Sequence, residues 1–181
     1  MKGKVIGLFV IVVVVLSIMA VSSEYLYDKY TSISVRFELI SNDPPNGNVY
    51  FDIKYCEYPS IAGTFYGTIK PTHKIKVNGI YTYSCKGTGG HSEYIKIWNE
   101  TDIMVEANWT GYRGDWHNIT FNKPIILVAN KTYNCIIHTG SYPQIHHAKS
   151  VKTADGWINC TSYIDVNGNR YGDWIPCIKM W

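Results

Sequence analysis

The sequence predicts an all-β protein, built as a two-sheet sandwich behind one apolar N-terminal segment. Apolar and polar residues alternate with a period of two in seven short stretches, which places one face of each stretch on a core. Turn-forming residues, such as Asn78-Gly79 and the run from Gly87 to Gly90, separate these stretches at strand-like intervals. No ten-residue stretch after residue 34 has the apolar spacing of an amphipathic helix. An immunoglobulin-like or jelly-roll sandwich is the expected type, and a closed barrel is the alternative.

The N-terminal segment is apolar enough to enter a membrane. Residues 5–21 carry no charge and follow Lys2 and Lys4. As a helix they would span about 25 Å, close to the hydrocarbon thickness of a bilayer. Residues 1–23 are therefore expected to form a transmembrane signal-anchor helix, or a signal peptide cleaved near residues 20–22. Both alternatives put the rest of the chain outside, because the two lysines hold the N-terminus in the cytoplasm. The expected location is the cell membrane, single-pass, or the exterior if the segment is cleaved.

Composition divides the remainder of the chain into two parts. Residues 24–34 are polar and aromatic without a clear period, which predicts a juxtamembrane stalk. Residues 35–181 are predicted to form one extracytoplasmic β-sandwich domain. Two of the 17 Lys and Arg residues precede the apolar segment, so 15 remain against 14 Asp and Glu. A nearly neutral domain lacks the basic surface that binds a phosphate backbone, which excludes nucleic acid as a partner.

Each predicted strand is justified by its own alternation. In the first, Val35, Phe37 and Leu39 face one side and charged residues face the other. Six further stretches repeat the pattern: residues 49–55, 74–77, 94–98, 105–109, 118–121 and 132–138. Near the C-terminus, Asn167-Gly168 predicts a hairpin with a type I′ turn, since both positions of that turn take a positive φ.

Two covalent features agree with an outside location. Cysteines in an exported domain are expected to form disulfides, and this domain has five: Cys56, Cys85, Cys135, Cys160 and Cys177. None belongs to a C-x-x-C pair, which argues against a zinc knuckle. Asn-x-Ser/Thr sequons are more frequent than chance and indicate a glycoprotein; they begin at Asn99, Asn108, Asn118, Asn130 and Asn159.

Histidines form the candidate metal site. Strand-end histidines of a β-sandwich can converge on a divalent cation, and the candidates here are His91, His117, His138, His146 and His147. Their spacing is not diagnostic, and ordinary polar roles are the alternative. Residues 165–169 resemble the start of a calcium-binding loop, but Arg170 and Pro176 stand where that loop needs Gly and Glu, so a hairpin turn explains them better. The sequence has no G-x-S-x-G and no H-E-x-x-H motif, and no catalytic residue is assigned.

Three loops carry the candidate ligand-binding residues, because binding residues concentrate in loops at the ends of a rigid sandwich. They run from Gly87 to Glu93, from Gly111 to His117 and from Gly140 to His147. Besides the histidines they hold Tyr112, Arg113, Asp115 and Tyr142. The leading hypothesis is a non-enzymatic surface module that binds a glycan, an envelope component or another protein. A metal-binding protein or metal-dependent hydrolase, and a purely structural envelope component, are the alternatives.

Several motifs after residue 57 carry a family resemblance. They include Tyr58-Pro59-Ser60-Ile61, Gly87-Thr88-Gly89-Gly90-His91, Gly114-Asp115-Trp116-His117, residues 139–147, Gly156-Trp157-Ile158-Asn159-Cys160-Thr161 and Asp173-Trp174-Ile175-Pro176. Over about two thirds of its length, the chain resembles a domain of uncharacterised archaeal cell-surface proteins. The resemblance implies an exported archaeal domain and no particular activity.

The same resemblance suggests the disulfide pairing. Cys85 and Cys160 both belong to the family pattern, whereas Cys56, Cys135 and Cys177 depart from it. We therefore expect the bridge Cys85–Cys160, and a second bridge Cys135–Cys177 because both of these cysteines are predicted to lie inside strands; Cys56 is left unpaired. Each would close a long loop and contribute about 4 kcal/mol or less through the unfolded state.

Overall fold

A computed structural model describes residues 51–56 and 58–181, and this part of the chain contains strands and no helix. The strands are β1 Phe51–Asp52, β2 Gly63–Pro71, β3 Ile75–Thr82, β4 Ser92–Trp98, β5 Ile103–Asn108, β6 Asn118–Leu127, β7 Tyr133–Thr139, β8 Ile145–His147, β9 Ser150–Lys152, β10 Gly156–Asp165, β11 Arg170–Tyr171, β12 Trp174–Pro176 and β13 Ile178–Met180. The predicted all-β class is confirmed for these residues.

The strands form three antiparallel sheets. The largest has the order β11-β10-β2-β7-β4-β5, with β9 also paired to β10. A second sheet has the order β1-β13-β3-β6, and β12 pairs with β8 in a third. Side chains from all three sheets contribute to one buried apolar cluster, so this part of the chain has a common core. This arrangement is consistent with a β-sandwich.

Period-two alternation places the core residues as the sequence predicts. In β7, Tyr133, Cys135 and Ile137 are buried and alternate with partly exposed residues. The inward positions of β3, β4 and β6 are likewise mostly isoleucine, and Val77, Phe121 and Leu127 occupy others. A β-branched residue on one face of a pleated strand packs well against the opposite sheet, which accounts for this composition.

Strand β2 of the large sheet lacks this apolar alternation at two positions. The inward face of β2 includes Gly63 and Gly67, which leave gaps in the apolar alternation. Gly67 is the register partner of Cys135 on one side and Cys160 on the other. A Cβ at this position would overlap the carbonyl oxygen of Asn159 and the ring of Phe65. Close packing of the neighbouring backbone and ring therefore requires glycine here.

The C-terminal hairpin forms with a different turn from the type I′ turn predicted. Gly168 has a φ of +84°, but Asn167 is not among the residues with positive φ. Gly168 N–H donates to the carbonyl of Asp165 at 2.9 Å, and Asp165 N–H donates to the carbonyl of Asn169 at 3.0 Å. These contacts indicate a type I turn followed by a glycine bulge. The Asp165 carboxylate accepts hydrogen bonds from the side chain of Asn169 and from the backbone N–H groups of Asn169 and Asn167. These bonds, above all the one from the Asn169 side chain, lower the pKa of Asp165.

Strand β1 ends earlier than the predicted strand 49–55, of which residues 49 and 50 lie outside the described residues. It ends after Asp52, because Lys54 takes a left-handed φ of +67° while its N–H donates to the Asp52 carboxylate at 2.7 Å. The predictions for residues 1–23, for the stalk at 24–34 and for a strand at 35–39 lie outside the described residues. Within the part that the structure describes, no helix is long and apolar enough to cross a membrane.

Candidate functional site

The three loops predicted to bind a ligand lie against one another. Gly140 N–H donates to the carbonyl of His91 at 2.7 Å, which joins the third loop to the first. The rings of His91 and Tyr112 lie 5.5 Å apart, which joins the first loop to the second. A Cβ on Gly89 would lie 3.6 Å from Ser141 Oγ and 3.9 Å from the ring of Tyr112. The glycine turn of the first loop therefore lies close to both other loops.

A chain of aromatic rings joins the first two of these loops. The His91 ring stacks on Trp109 at 3.9 Å, and Trp109 meets Tyr112 edge-on at 4.7 Å. Tyr112 in turn meets Trp116 at 6.1 Å, and Trp109 Nε1–H donates to the carbonyl of Trp116 at 2.7 Å. The fifth member, His117, lies 5.2 Å from the Trp116 ring. We call these five residues the aromatic loop cluster.

Burial separates the cluster into a support and an exposed surface. His91 and His117 are 2% and 5% exposed, whereas Tyr112 is 65% exposed and Trp116 37%. The Nδ1 atoms of the two histidines lie 2.7 Å from the carbonyl oxygens of Gly89 and Gly90. A carbonyl oxygen only accepts hydrogen bonds, so each Nδ1 carries a proton. The histidines thus hold the glycine turn in place, and the exposed rings of Tyr112 and Trp116 pack against them.

Tyr142 is an exposed residue whose backbone lies against the first loop. It is 61% exposed and has a φ of +42°, a left-handed conformation that is costly for a residue with a bulky side chain. Gly90 passes so close to the Tyr142 carbonyl that a Cβ there would lie 2.6 Å from that oxygen. The strained backbone of Tyr142 is thus packed against Gly90 of the first loop.

The two charged candidates differ in what they contact. Asp115 accepts hydrogen bonds from the backbone N–H of His117 at 3.2 Å and from Asn118 Nδ2 at 2.8 Å. Its carboxylate therefore shapes the turn that carries Trp116. The side chain of Arg113 is exposed, and its backbone N–H donates to the carbonyl of Gly111.

The five candidate metal histidines fall in two places. His91 and His117 belong to the aromatic loop cluster, and the carboxylate of Glu93 lies 3.5 Å from both His91 Nε2 and His138 Nε2. His146 and His147 lie on β8, where the ring of His147 contacts Tyr58 and Trp174. Among the described residues, the three ligating side chains whose atoms lie within 4.8 Å of one another are Cys56, His146 and Cys177. This group includes one of the five histidines.

All five cysteines are thiols, so neither Cys85–Cys160 nor Cys135–Cys177 is bonded in the structure, and both pairings stay predictions. The thiol in contact with Cys177 is that of Cys56, at 3.1 Å. The hydrogen bond from Cys177 is the main cause that lowers the pKa of Cys56 to about 6, while burial raises that of Cys177. Burial also raises the pKa of Cys135, which is enclosed in β7. The sequence analysis left Cys56 unpaired because it assigned Cys177 to Cys135, whereas the residue that contacts Cys177 lies 121 positions away in the chain.

Comparison with protein-family models and with curated proteins finds no match for this chain. Function is therefore inferred from the chemistry of the site itself.

Proposed function

We propose that the chain is a non-enzymatic surface module that binds a glycan through the aromatic loop cluster. The observation that carries the proposal is the pair of exposed rings, Tyr112 and Trp116, supported by the buried ring of His91 and the partly buried ring of Trp109. Large apolar rings at a monomer surface are hydrophobic area left in water, and a cluster of them indicates a contact surface. The contacts beneath the rings reduce the conformational entropy that binding would cost.

Glycan chemistry fits this surface better than an anionic or strongly apolar ligand. A sugar ring has an apolar C–H face that can stack on an indole or phenol ring, and hydroxyl groups around its edge. Tyr and Trp combine a rigid apolar body with one polar group, which suits such a ligand. Arg113, the exposed neighbour of Tyr112 in the chain, and the Tyr112 hydroxyl group are the hydrogen-bond donors that this loop offers to such a ligand. The nearly neutral balance of charge after the N-terminal segment adds no preference for an anion.

The positions of Asp115 and His117 support binding without catalysis. As a pair two residues apart, they could be read as a general acid and base. His117 is 5% exposed and its Nδ1 contacts the Gly90 carbonyl, while both oxygens of Asp115 accept local hydrogen bonds. Both side chains thus hold the loop, and this structural role is the one that we propose for them.

The setting we propose is the outside of a cell membrane. The charge-free residues 5–21 after two lysines, the sequons and the resemblance to archaeal cell-surface proteins support an anchored, glycosylated and exported domain. Within the all-β class, an immunoglobulin-like or jelly-roll sandwich behind the anchor helix is the specific architecture that we propose.

The experiment is a glycan-array screen of the full chain, followed by calorimetric titration of the strongest binder. We expect Trp116→Ala and Tyr112→Ala each to weaken binding about tenfold or more, because stacking of a ring on a ligand face contributes roughly 1–3 kcal/mol. Trp157→Ala is the matched control, since Trp157 is 39% exposed against 37% for Trp116 but lies on β10.

Three outcomes would contradict the proposal. Equal affinity in Trp116→Ala and the wild type would remove the cluster from the binding site. Cleavage of the bound glycan would show that the protein is an enzyme and not a binding module. An array without any binder, joined to capture of a protein through Tyr112 and Trp116, would assign the surface to a protein partner.

A further inference from the structure

We propose that Cys56, His146 and Cys177 bind one soft d¹⁰ cation, Zn²⁺ or Cu⁺, at a site that is separate from the aromatic loop cluster. One sulfur from each cysteine and one ring nitrogen of His146 lie within 4.8 Å of one another. Thiolate and imidazole are the ligands that Zn²⁺ and Cu⁺ prefer in proteins. Three such groups at this distance need only small side-chain movements to meet a common ion.

The three ligands come from three different segments of the fold. Cys56 follows β1, His146 is the central residue of β8, and Cys177 connects β12 to β13. Since β1 pairs with β13 and β8 pairs with β12, the site lies where the second and third sheets meet. A cation bound here would join these short strands, which have two or three residues each and few ladder hydrogen bonds of their own.

The orientation of His146 supports a ligand role. Its Nε2 lies 2.8 Å from the carbonyl oxygen of Ile53 and 3.1 Å from that of Lys54. Two acceptors at this nitrogen place its proton there, and the lone pair of the neutral imidazole is then on Nδ1. Histidines that bind metals commonly donate their second ring nitrogen to a backbone carbonyl, which fixes the tautomer and the ring orientation. The left-handed φ of Lys54 directs both carbonyls to the same imidazole.

The surroundings of the two sulfurs are equally ordered. Gln144 is 9% exposed, and its side chain accepts from Cys56 N–H at 2.7 Å and donates to the Ser84 carbonyl at 2.6 Å. Its backbone carbonyl accepts from Cys177 N–H at 2.8 Å. One buried glutamine thus positions both cysteines, and Cys56 and Cys177 are held in place before any ion arrives.

Binding of the cation requires no redox step. Two thiols lose their protons to solvent when the cation binds, so Zn²⁺ gives a neutral bis-thiolate unit and Cu⁺ a unit of charge −1. Cys177 is fully buried, while Cys56 and His146 are partly exposed, so the ion enters from their side. A Cys56–Cys177 disulfide is the competing use of the same sulfurs; to form it, the two thiols would lose two electrons to an oxidant such as dioxygen and two protons to solvent, and the bond would not need an imidazole beside it.

The test uses the full chain in detergent, reduced and freed of metal under nitrogen. One arm titrates Co²⁺ as a spectroscopic substitute for Zn²⁺, and then displaces it with Zn²⁺. The other arm titrates Cu⁺ against a coloured chelator. We expect one equivalent per chain, with thiolate-to-cobalt charge-transfer absorption in the first arm, and a higher melting temperature with the tighter ion.

Variants decide whether these three side chains are the ligands. Cys56→Ser and His146→Ala should each weaken binding by about 100-fold or more, since even the outer partners of metal ligands contribute 10- to 100-fold. Cys160→Ser is the matched control, because Cys160 is partly exposed like Cys56 but lies on β10. Circular dichroism of each variant checks that the fold is retained.

Three results would overturn the proposal. The first is a reduced wild-type chain that takes up neither ion. The second is unchanged affinity in Cys56→Ser or in His146→Ala. The third is a chain that forms a Cys56–Cys177 disulfide in air and, once reduced, has no more affinity than Cys56→Ser.

Discussion

At the scale of single residues, buried hydroxyl groups complete hydrogen bonds that the strand ladder leaves open. Thr139 Oγ1 donates to the carbonyl of Gly63 at 3.0 Å and accepts from Gly63 N–H at 3.1 Å. Tyr163 OH lies 2.9 Å from Thr139 Oγ1 and donates to the carbonyl of Ile61 at 2.9 Å. Tyr163 is fully buried, and this burial raises its pKa to about 12. An unpaired polar group at this depth would cost free energy, which explains a tyrosine in place of phenylalanine.

Tyr163→Phe tests this contribution. The change removes the hydroxyl group, leaves the Ile61 carbonyl without this donor and keeps the ring in the core. We expect the free energy of unfolding to fall by about 1–3 kcal/mol in urea denaturation monitored by tryptophan fluorescence. Tyr66→Phe is the control, because Tyr66 is 37% exposed, and its effect should stay within about 0.5 kcal/mol. Equal effects of the two substitutions would show that the buried hydroxyl group contributes nothing.

At the scale of strands, β2 combines a central position with an inward face that is poor in apolar side chains. It lies between β10 and β7 in the large sheet, so both of its edges are paired. The ring of Phe65 occupies the space above Gly67, which a larger residue at 67 would fill. Because Gly67 has no side chain, the ring of Phe65 can pack directly on the β2 backbone. The glycines nevertheless interrupt the apolar alternation of β2 and weaken it as a sequence signal.

Gly67→Ala should therefore be costly. The new methyl group would meet a backbone oxygen and a buried ring, neither of which can move freely, so we expect a loss of about 1–3 kcal/mol in the free energy of unfolding. Gly172→Ala is the control, because a Cβ at Gly172 meets nothing within 4 Å and its φ is not left-handed. Its expected effect is about 0.5 kcal/mol or less, by chemical denaturation. A loss in Gly172→Ala as large as in Gly67→Ala would contradict the packing explanation.

At the scale of the whole molecule, the asparagines of the five sequons differ in their exposure and hydrogen bonding. Asn108 and Asn130 are exposed. The attachment nitrogens of two others already donate hydrogen bonds, Asn118 Nδ2 to Asp115 and Asn159 Nδ2 to Thr68. Asn108 also ends β5, the edge strand of the large sheet, where a glycan would shield unpaired backbone groups from association with other chains.

In protein purified from the exporting cell, we therefore expect glycan at Asn108 and Asn130 in a larger fraction of molecules than at Asn118 and Asn159. Site occupancy is measured by mass spectrometry of peptides before and after enzymatic removal of the glycan. Full occupancy at Asn118 and Asn159 with none at Asn108 would contradict the ranking by exposure. A chain without any glycan, protected from protease in intact cells, would contradict the proposed export itself.

The sequence by itself determined the features that depend on neighbouring residues. Period-two alternation identified the strands that contain Ile75, Ile95, Ile119 and Tyr133, because successive side chains of a strand point to opposite faces. Glycine-rich turns located the three loops. Both signals are local, and each can be read from a window of about ten residues.

Only the tertiary structure decided which of these local features meet. The stacking of His91 on Trp109, the partnership of Cys56 with Cys177 and the place of β2 between β10 and β7 all join segments that the sequence pattern treats alike. The type I turn at Asp165 was likewise selected by the hydrogen bonds of its carboxylate, over the type I′ turn that Asn167-Gly168 favours alone. Alternation states that a strand has one apolar face, but not which strand covers it. Partner and register are chosen by the packing of side chains from distant segments in one core, and that choice has no local signature.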